Sequence, residues 1–360
     1  MIEANDLKAA VSVGILTEAQ ASQLKYLSQN RQLDASELAI GDEPFELFRG
    51  FNEIFIIVGL VVLTTGWVTV IGAVFADQIA NVESTLVLAS VFAAPMIWLL
   101  SEYFIRRRRM VGPAIALSLM WAGNAIFGFT AGLSQYFMVG QGKFDSLPLP
   151  FALGIGATVL FWFRFKVPFA MAMIAVGAFL LAILLAAVQN GTPSEFEDLF
   201  LLSSAGPFAW ITLIVGLVTF GFAMYFDMSD PHRVTRRSSQ GFWLHVVAAP
   251  ALTNTIALTL LDAGTTTAYL LLALFLALLA GIAIIIDRRS FLITTIGYIM
   301  ALAATLFDTS GIAFFIVMLG LFLLLLGAFW DRIRARLVAA MPGFIPRDLL
   351  PPILINKGTS

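Results

Sequence analysis

His245, Pro250 and Asn254 share one run, "HVVAAPALTNT", inside a long apolar stretch of the chain. In lipid every backbone polar group must be satisfied internally, so a proline that removes an N–H leaves a carbonyl for another helix or for water to meet. A histidine within such a segment is a functional candidate by default. The chemistry these residues offer is non-covalent: hydrogen bonds between helices, or the polar lining of a site for a small molecule. Pro95 in "VFAAPM" and Asn124 in "WAGNAIFG" are comparable anomalies in other apolar stretches, and the five residues together make the expected ligand-binding set. Asn124 also belongs to a ridge of four-residue spacing, Gly112, Ala116, Met120, Asn124, Gly128 and Gly132, which is the pattern of a close helix-packing face.

Other chemistry is excluded or unsupported. With no cysteine and two histidines, thiolate sites and histidine metal clusters have no ligands. "GQGK" from Gly140 lacks the spacing of a phosphate-binding loop, and neither HExxH nor GxSxG occurs. No catalytic residue, metal or cofactor is expected, and an intramembrane enzyme ranks last among the readings. The run Arg106–Arg109 is too short and too close to an apolar segment for nucleic acid; contact with anionic lipid headgroups is the plain reading. Glu102 reads as an ion pair with those arginines, and Glu53, Asp262 and Asp308 fall at span ends. No carboxylate is placed deep in a span, which argues against a proton- or sodium-coupled carrier.

The elements that must position these residues are membrane helices. Of the 360 residues 59% are hydrophobic and 12% charged, about half the charged fraction of a soluble domain. Ten apolar segments approach the length needed to cross a hydrocarbon core of roughly 30 Å. They run over 54–75, 85–105, 111–133, 149–162, 168–188, 207–225, 242–261, 267–286, 291–307 and 312–329, the fourth being the shortest. With ten spans and an inside N-terminus, 20 of the 21 basic residues fall on the inner side and only Lys143 outside, as the positive-inside rule requires. The expected architecture is therefore an all-α, polytopic bundle of about ten spans with both termini cytoplasmic. Residues 1–50 read as a cytoplasmic helical region, a small hairpin with capping-box spacing at Thr17 and Gln20. Residues 51–330 form the transmembrane domain, and 331–360 a basic, proline-rich cytoplasmic tail. The first residues lack a basic region followed by an apolar core, so no cleavable signal peptide is expected.

Two matches share an offset of 155 residues: "VFAAP" ending at Pro95 with "VVAAP" ending at Pro250, and "TTGW" from Thr64 with "TFGF" from Thr219. Span one would then correspond to six and two to seven, running oppositely, as a 5+5 inverted repeat requires. Paired broken helices point to a transporter site; packed kinks without a ligand account for them equally.

The N-terminal "GILTEAQASQL", the entry "TRRSSQGFWLHVVAAPALTNT" and the exit "WDRIRARLVAAMPG" resemble uncharacterised multi-pass bacterial membrane proteins grouped in families of unknown function. The resemblance covers about a fifth of the chain. It implies a bacterial inner-membrane location and supplies no activity or functional residues. The leading expectation is a transporter-like bundle that binds or moves a small molecule or lipid. The alternative is a non-catalytic scaffold or accessory subunit that meets a protein partner through its N-terminal region or its tail.

Overall fold

A computed structural model describes residues 51–75, 82–204, 206–233, 235–307, 309–342 and 347–351. The expected N-terminal hairpin, Asp308 and residues 343–346 and 352–360 of the proline-rich tail lie outside the described residues. Every predicted span folds as a helix, and no strand occurs among the described residues. The helices are α1 Phe51–Phe75, α2 Val82–Ser101, α3 Gly112–Leu133, α4 Pro148–Phe165, α5 Pro168–Asn190 and α6 Phe208–Met228. They continue as α7 Arg236–Asp262, α8 Thr266–Ile286, α9 Arg289–Leu306, α10 Thr309–Ala328 and α11 Trp330–Ala340. Among the described residues nine helices, including α4, are long and apolar enough to cross a membrane, whereas the apolar part of α9 is the shorter Phe291–Leu306. The chain is an integral, multi-pass membrane protein.

Prolines open α3, α4 and α5 at their first turns, where an absent N–H costs nothing. Thr235 and Thr265 cap α7 and α8 with their hydroxyls. The start of α3 is capped from a distance. The Glu53 carboxylate of α1 accepts the N–H groups of Val111 at 3.2 Å and Gly112 at 2.8 Å, meeting two of the donors every helix leaves orphaned. Glu53 is buried, so Glu53→Ala should cost about 0.5–2 kcal/mol, the range for a lost cap. The expected result is a lower thermal midpoint in detergent, together with looser α1, read as faster proteolysis between α1 and α2.

Small residues set the helix spacing. A Cβ at Gly128 would lie 2.7 Å from Ser90 Cβ, and one at Gly132 3.2 Å from Val87, so the predicted ridge is the seam of α3 against α2. Gly154 meets the Ile126 backbone of α3 just as closely. Trp98, Trp121, Phe161 and Phe165 stack edge-on or face-on at one end of this half, and the Trp121 indole donates to the Ala157 carbonyl at 2.9 Å. In the other half α7 is central: 44% of its apolar window is buried, against 6% for α1 and α10. It packs chiefly on α6, with α5, α9 and α8 around it.

The basic side chains gather at one end of the bundle. Glu102 pairs with Arg106 and, across to α4, with Arg164 at 2.6 Å. A cleft joins Arg109, Lys166 and Arg236, and Arg233 pairs with Asp287. We call this the basic end. At the opposite end Ser203 donates to Asp262.

Two expectations are corrected. Helix α6 runs past Tyr225 to Met228, and α7 begins at Arg236, before the predicted Phe242, so both carry polar residues into the bundle at the basic end. The prolines of the proposed repeat sit in equivalent mid-helix positions, but α2 packs chiefly on α3 and α7 on α6. Their neighbours therefore do not repeat with the sequence.

Candidate functional site

The stripe Thr212, Gly216, Thr219, Ala223 and Asp227 is the buried face of α6, small residues at helical spacing that let α7 approach. At its last turn the stripe ends in a carboxylate. Asp227 is 7% exposed, and beside it His245 and Arg288 are 0% exposed. His245 Nε2 lies 2.9 Å from Asp227 Oδ2. Arg288 donates through Nε to the same oxygen at 3.0 Å and through Nη2 to Oδ1, the fork geometry that suits a carboxylate. The same Nη2 reaches the Ser238 carbonyl at 3.1 Å and Ser238 Oγ at 3.3 Å. The cluster thus ties α6, α7 and the α8–α9 joint together.

Local structure explains why the cluster can close. A carboxylate in the last turn of a helix faces the negative end of its dipole, so Asp227 needs a cation there and Arg288 supplies it. Gly241 of α7 makes the room: a Cβ on it would lie 2.3 Å from Asp227 Oδ1 and 3.2 Å from the Ala223 carbonyl. Phe220 and Phe291 set their ring edges against the imidazole with centroids 5.5 and 5.7 Å away, closing it off with apolar surface.

A second layer fixes the first. The Asp230 carboxylate accepts from the Thr235 amide and hydroxyl at 2.8 and 2.7 Å and from the Ser238 amide at 3.4 Å, holding the start of α7. Arg233 donates to Asp287 Oδ2 at 2.9 Å and to the Ile286 and Asp287 carbonyls, groups that the end of α8 leaves unpaired. Both residues adopt left-handed φ values, 54° and 56°. Trp330 Nε1 donates to Asp287 Oδ1 at 3.0 Å, and Arg334 joins the Ile285 carbonyl to that of Pro351. The tail is thereby wired to the joint that carries Arg288. Arg334 lies beyond the spans, and burial lowers its pKa from the ordinary arginine value against the opposing pull of Asp287 and Asp331.

Of the five residues expected to share a site, the structure brings none to another. His245 lies nine residues past the start of α7 and is fully buried. Asn124 donates to the Ser90 carbonyl at 3.1 Å, between α3 and α2. Asn254 accepts from the Tyr298 hydroxyl of α9 at 2.8 Å. Pro95 and Pro250 are exposed on the outer faces of α2 and α7, because a proline ring turned outward disturbs no neighbouring helix. An apolar cavity of about 250 Å³ lies beside Asn124, lined also by Ser90, Trp121 and Gly128. Asp227, which the predicted spans left in a connection, is the next-to-last residue of α6; it ends its span as the other acids do, but it is packed inside the bundle.

Chemically the cluster is an acid–imidazole pair with a guanidinium on the acid. With Asp227 ionised by Arg288, the imidazole donates from Nε2, and Nδ1 has no hydrogen-bond partner among the described residues. No nucleophilic hydroxyl is therefore seated on the imidazole as acyl transfer would need. No group of three or more His, Asp or Glu suited to a metal ion occurs among the described residues. No family model, no curated protein and no solved structure matches the chain.

Proposed function

We propose that this chain is a transporter-like bundle of the bacterial inner membrane, its basic end cytoplasmic, that binds or moves a small molecule or lipid. In this reading Asp227, His245 and Arg288 form a charged latch that holds α6, α7 and the α8–α9 joint together at the cytoplasmic side. The observation that carries the proposal is the burial of three ionisable side chains against one another between helices of a membrane bundle, His245 and Arg288 completely and Asp227 nearly so. Such groups are costly in a membrane protein and mark pathways and relays more often than simple packing. Opening the latch exposes the Nδ1 lone pair of His245 to water, where it can take up a proton while Asp227 keeps Arg288.

A second reading, a non-catalytic scaffold or accessory subunit, is favoured by the dispersal of the other candidates into separate helix contacts and by the outward-facing prolines. The two differ in whether water reaches the latch. The chain has no cysteine, so single substitutions report access without background. Ser238→Cys, Ala248→Cys and Thr253→Cys sit at fully buried positions of α7, and Ser229→Cys provides an exposed control. The expected result is slow but complete reaction of the buried cysteines with a charged thiol reagent added from one side of intact membranes. Protection of all three while Ser229→Cys reacts would overturn the transporter reading in favour of the scaffold.

A further inference from the structure

At the basic end, separate from the latch, a cleft of about 380 Å³ opens between the end of α2, the start of α3, the α4–α5 joint and the first turns of α7. Its volume falls in the range of small-ligand sites. Arg109, Lys166 and Arg236 line it, and no lining residue is acidic. Two carboxylates lie beside it and both are engaged: Glu53 accepts from the Val111 and Gly112 amides, and Glu102 pairs with Arg106 and Arg164. Among the described residues no ion pair holds Arg109, Lys166 or Arg236, and all three side chains are exposed. Ser239 adds a hydroxyl to the rim. Trp243 and Phe169, packed edge to face at 4.7 Å, supply apolar wall beneath the charges.

The backbone adds a second observation. Four non-glycine residues among those described have positive φ: Arg109, Lys166, Arg233 and Asp287. Lys166 and Asp287 directly follow α4 and α8, Arg109 lies two residues beyond the π-helical turn Glu102–Arg107, and Arg233 lies in the α6–α7 connection; a side chain in that conformation is strained, which is why glycine is the usual occupant. Arg233 and Asp287 are accounted for by their mutual ion pair. Arg109 and Lys166, at 54° and 53°, form no ion pair among the described residues and both line the cleft; the Lys166 ammonium rests over the Trp162 and Phe163 rings, 4.2 and 4.7 Å from their centroids. A glycine at either position would relieve the strain and remove a cation from the cleft lining.

We propose that this cleft binds the phosphate-bearing headgroup of an anionic glycerophospholipid from the adjoining leaflet. Arg109, Lys166 and Arg236 surround the phosphate, Ser239 donates to it, and the acyl chains leave along Trp243 and Phe169 into the bilayer. The combination of cations outside any described ion pair with an apolar wall at a span end fits an amphiphile better than a free anion, which would need no such wall. The site stands independently of transport, and a scaffold could use it equally.

The test uses the full chain, purified in detergent and stripped of lipid, with phosphatidylglycerol, phosphatidylcholine or soluble glycerol 3-phosphate added back. Retained lipid is counted by mass spectrometry of the intact protein, and thermal midpoints are followed in parallel. The expected result is tight retention of phosphatidylglycerol with a raised midpoint, and neither effect from phosphatidylcholine or glycerol 3-phosphate. Each basic residue beside an anionic headgroup contributes roughly fivefold, so Arg109→Gln/Lys166→Gln/Arg236→Gln should weaken retention about a hundredfold. Arg107→Gln/Arg108→Gln/Arg237→Gln removes equal charge nearby and outside the cleft, and should leave retention unchanged. An equal loss in both triple variants would overturn the site in favour of diffuse surface attraction. Equal stabilisation by glycerol 3-phosphate would overturn it in favour of a free-anion site. On the unmodified chain, a photoreactive phosphatidylglycerol should label peptides containing Trp243 or Phe169; labelling confined to other helices would also overturn it.

Discussion

Asp227→Ala should lower the stability of the C-terminal half by about 3–5 kcal/mol, the cost of removing one partner of a buried ion pair and leaving the other uncompensated. Arg288 would remain fully buried with its counter-charge gone, and His245 would lose the acceptor for Nε2. The readout is a large fall in thermal midpoint in detergent, with the proteolytic cuts appearing first between α6 and α9. The pair can be separated from its surroundings. Arg288→Met in the Asp227→Ala background removes the stranded charge and should recover much of the loss, because a buried ion pair exchanged for apolar side chains of similar volume is often neutral or better. A double-variant loss equal to the sum of the losses of Asp227→Ala and Arg288→Met alone would show that the guanidinium and the carboxylate do not depend on one another. Recovered stability without recovered function would then locate the role of the charges in the protein's activity, since packing alone would have been restored.

Gly241→Ala should cost about 1–3 kcal/mol, the usual penalty for overpacking a well-filled interior. The new methyl group would stand 2.3 Å from Asp227 Oδ1. That oxygen cannot swing away freely, since Arg288 and His245 hold the carboxylate from two sides. The Ala223 carbonyl of α6, 3.2 Å from the same point, blocks the alternative of sliding α7 back. The penalty therefore belongs to the carboxylate as much as to the helix contact. In the Asp227→Ala background the obstructing oxygen is gone, and Gly241→Ala should become nearly silent. An equal penalty in both backgrounds would sink the assignment of Gly241 as the residue that makes room for the latch.

The spans were legible because each is a long, predominantly apolar run, and that pattern needs no tertiary information. The basic end was legible for a similar reason: six groups of arginines and lysines recur at alternate connections. Asn124 and the Gly128–Gly132 step were also readable as helix glue, since small residues at four-residue spacing leave few other uses. The latch was half legible. His245 stood out against its apolar neighbours, but its partners did not stand out against theirs. Asp227 in "MYFDMSD" and Arg288 in "IIIDRRS" look like ordinary charges at the edge of a loop. Their pairing spans 61 residues, and nothing local announces it. One signal was available: Asp227 continues the register of Gly216 and Ala223, which places it on the packed face of α6 as soon as the helix is extended by a single turn. The two prolines misled for the opposite reason. Their chemistry in lipid is unusual enough to suggest a site, and facing the ring outward fits it into the bundle without crowding a neighbouring helix.

The separation of Asp227 from Arg288 also orders events while the chain is being made. His245 follows Asp227 by 18 residues and Arg288 by 61. At a synthesis rate of about 5–20 residues per second the carboxylate precedes its guanidinium by roughly 3–12 s. During that interval α6 and α7 are in the membrane with a negative charge that the finished protein neutralises through a residue still to emerge. The latch between α6, α7 and the α8–α9 joint can therefore close only after α8 has been made.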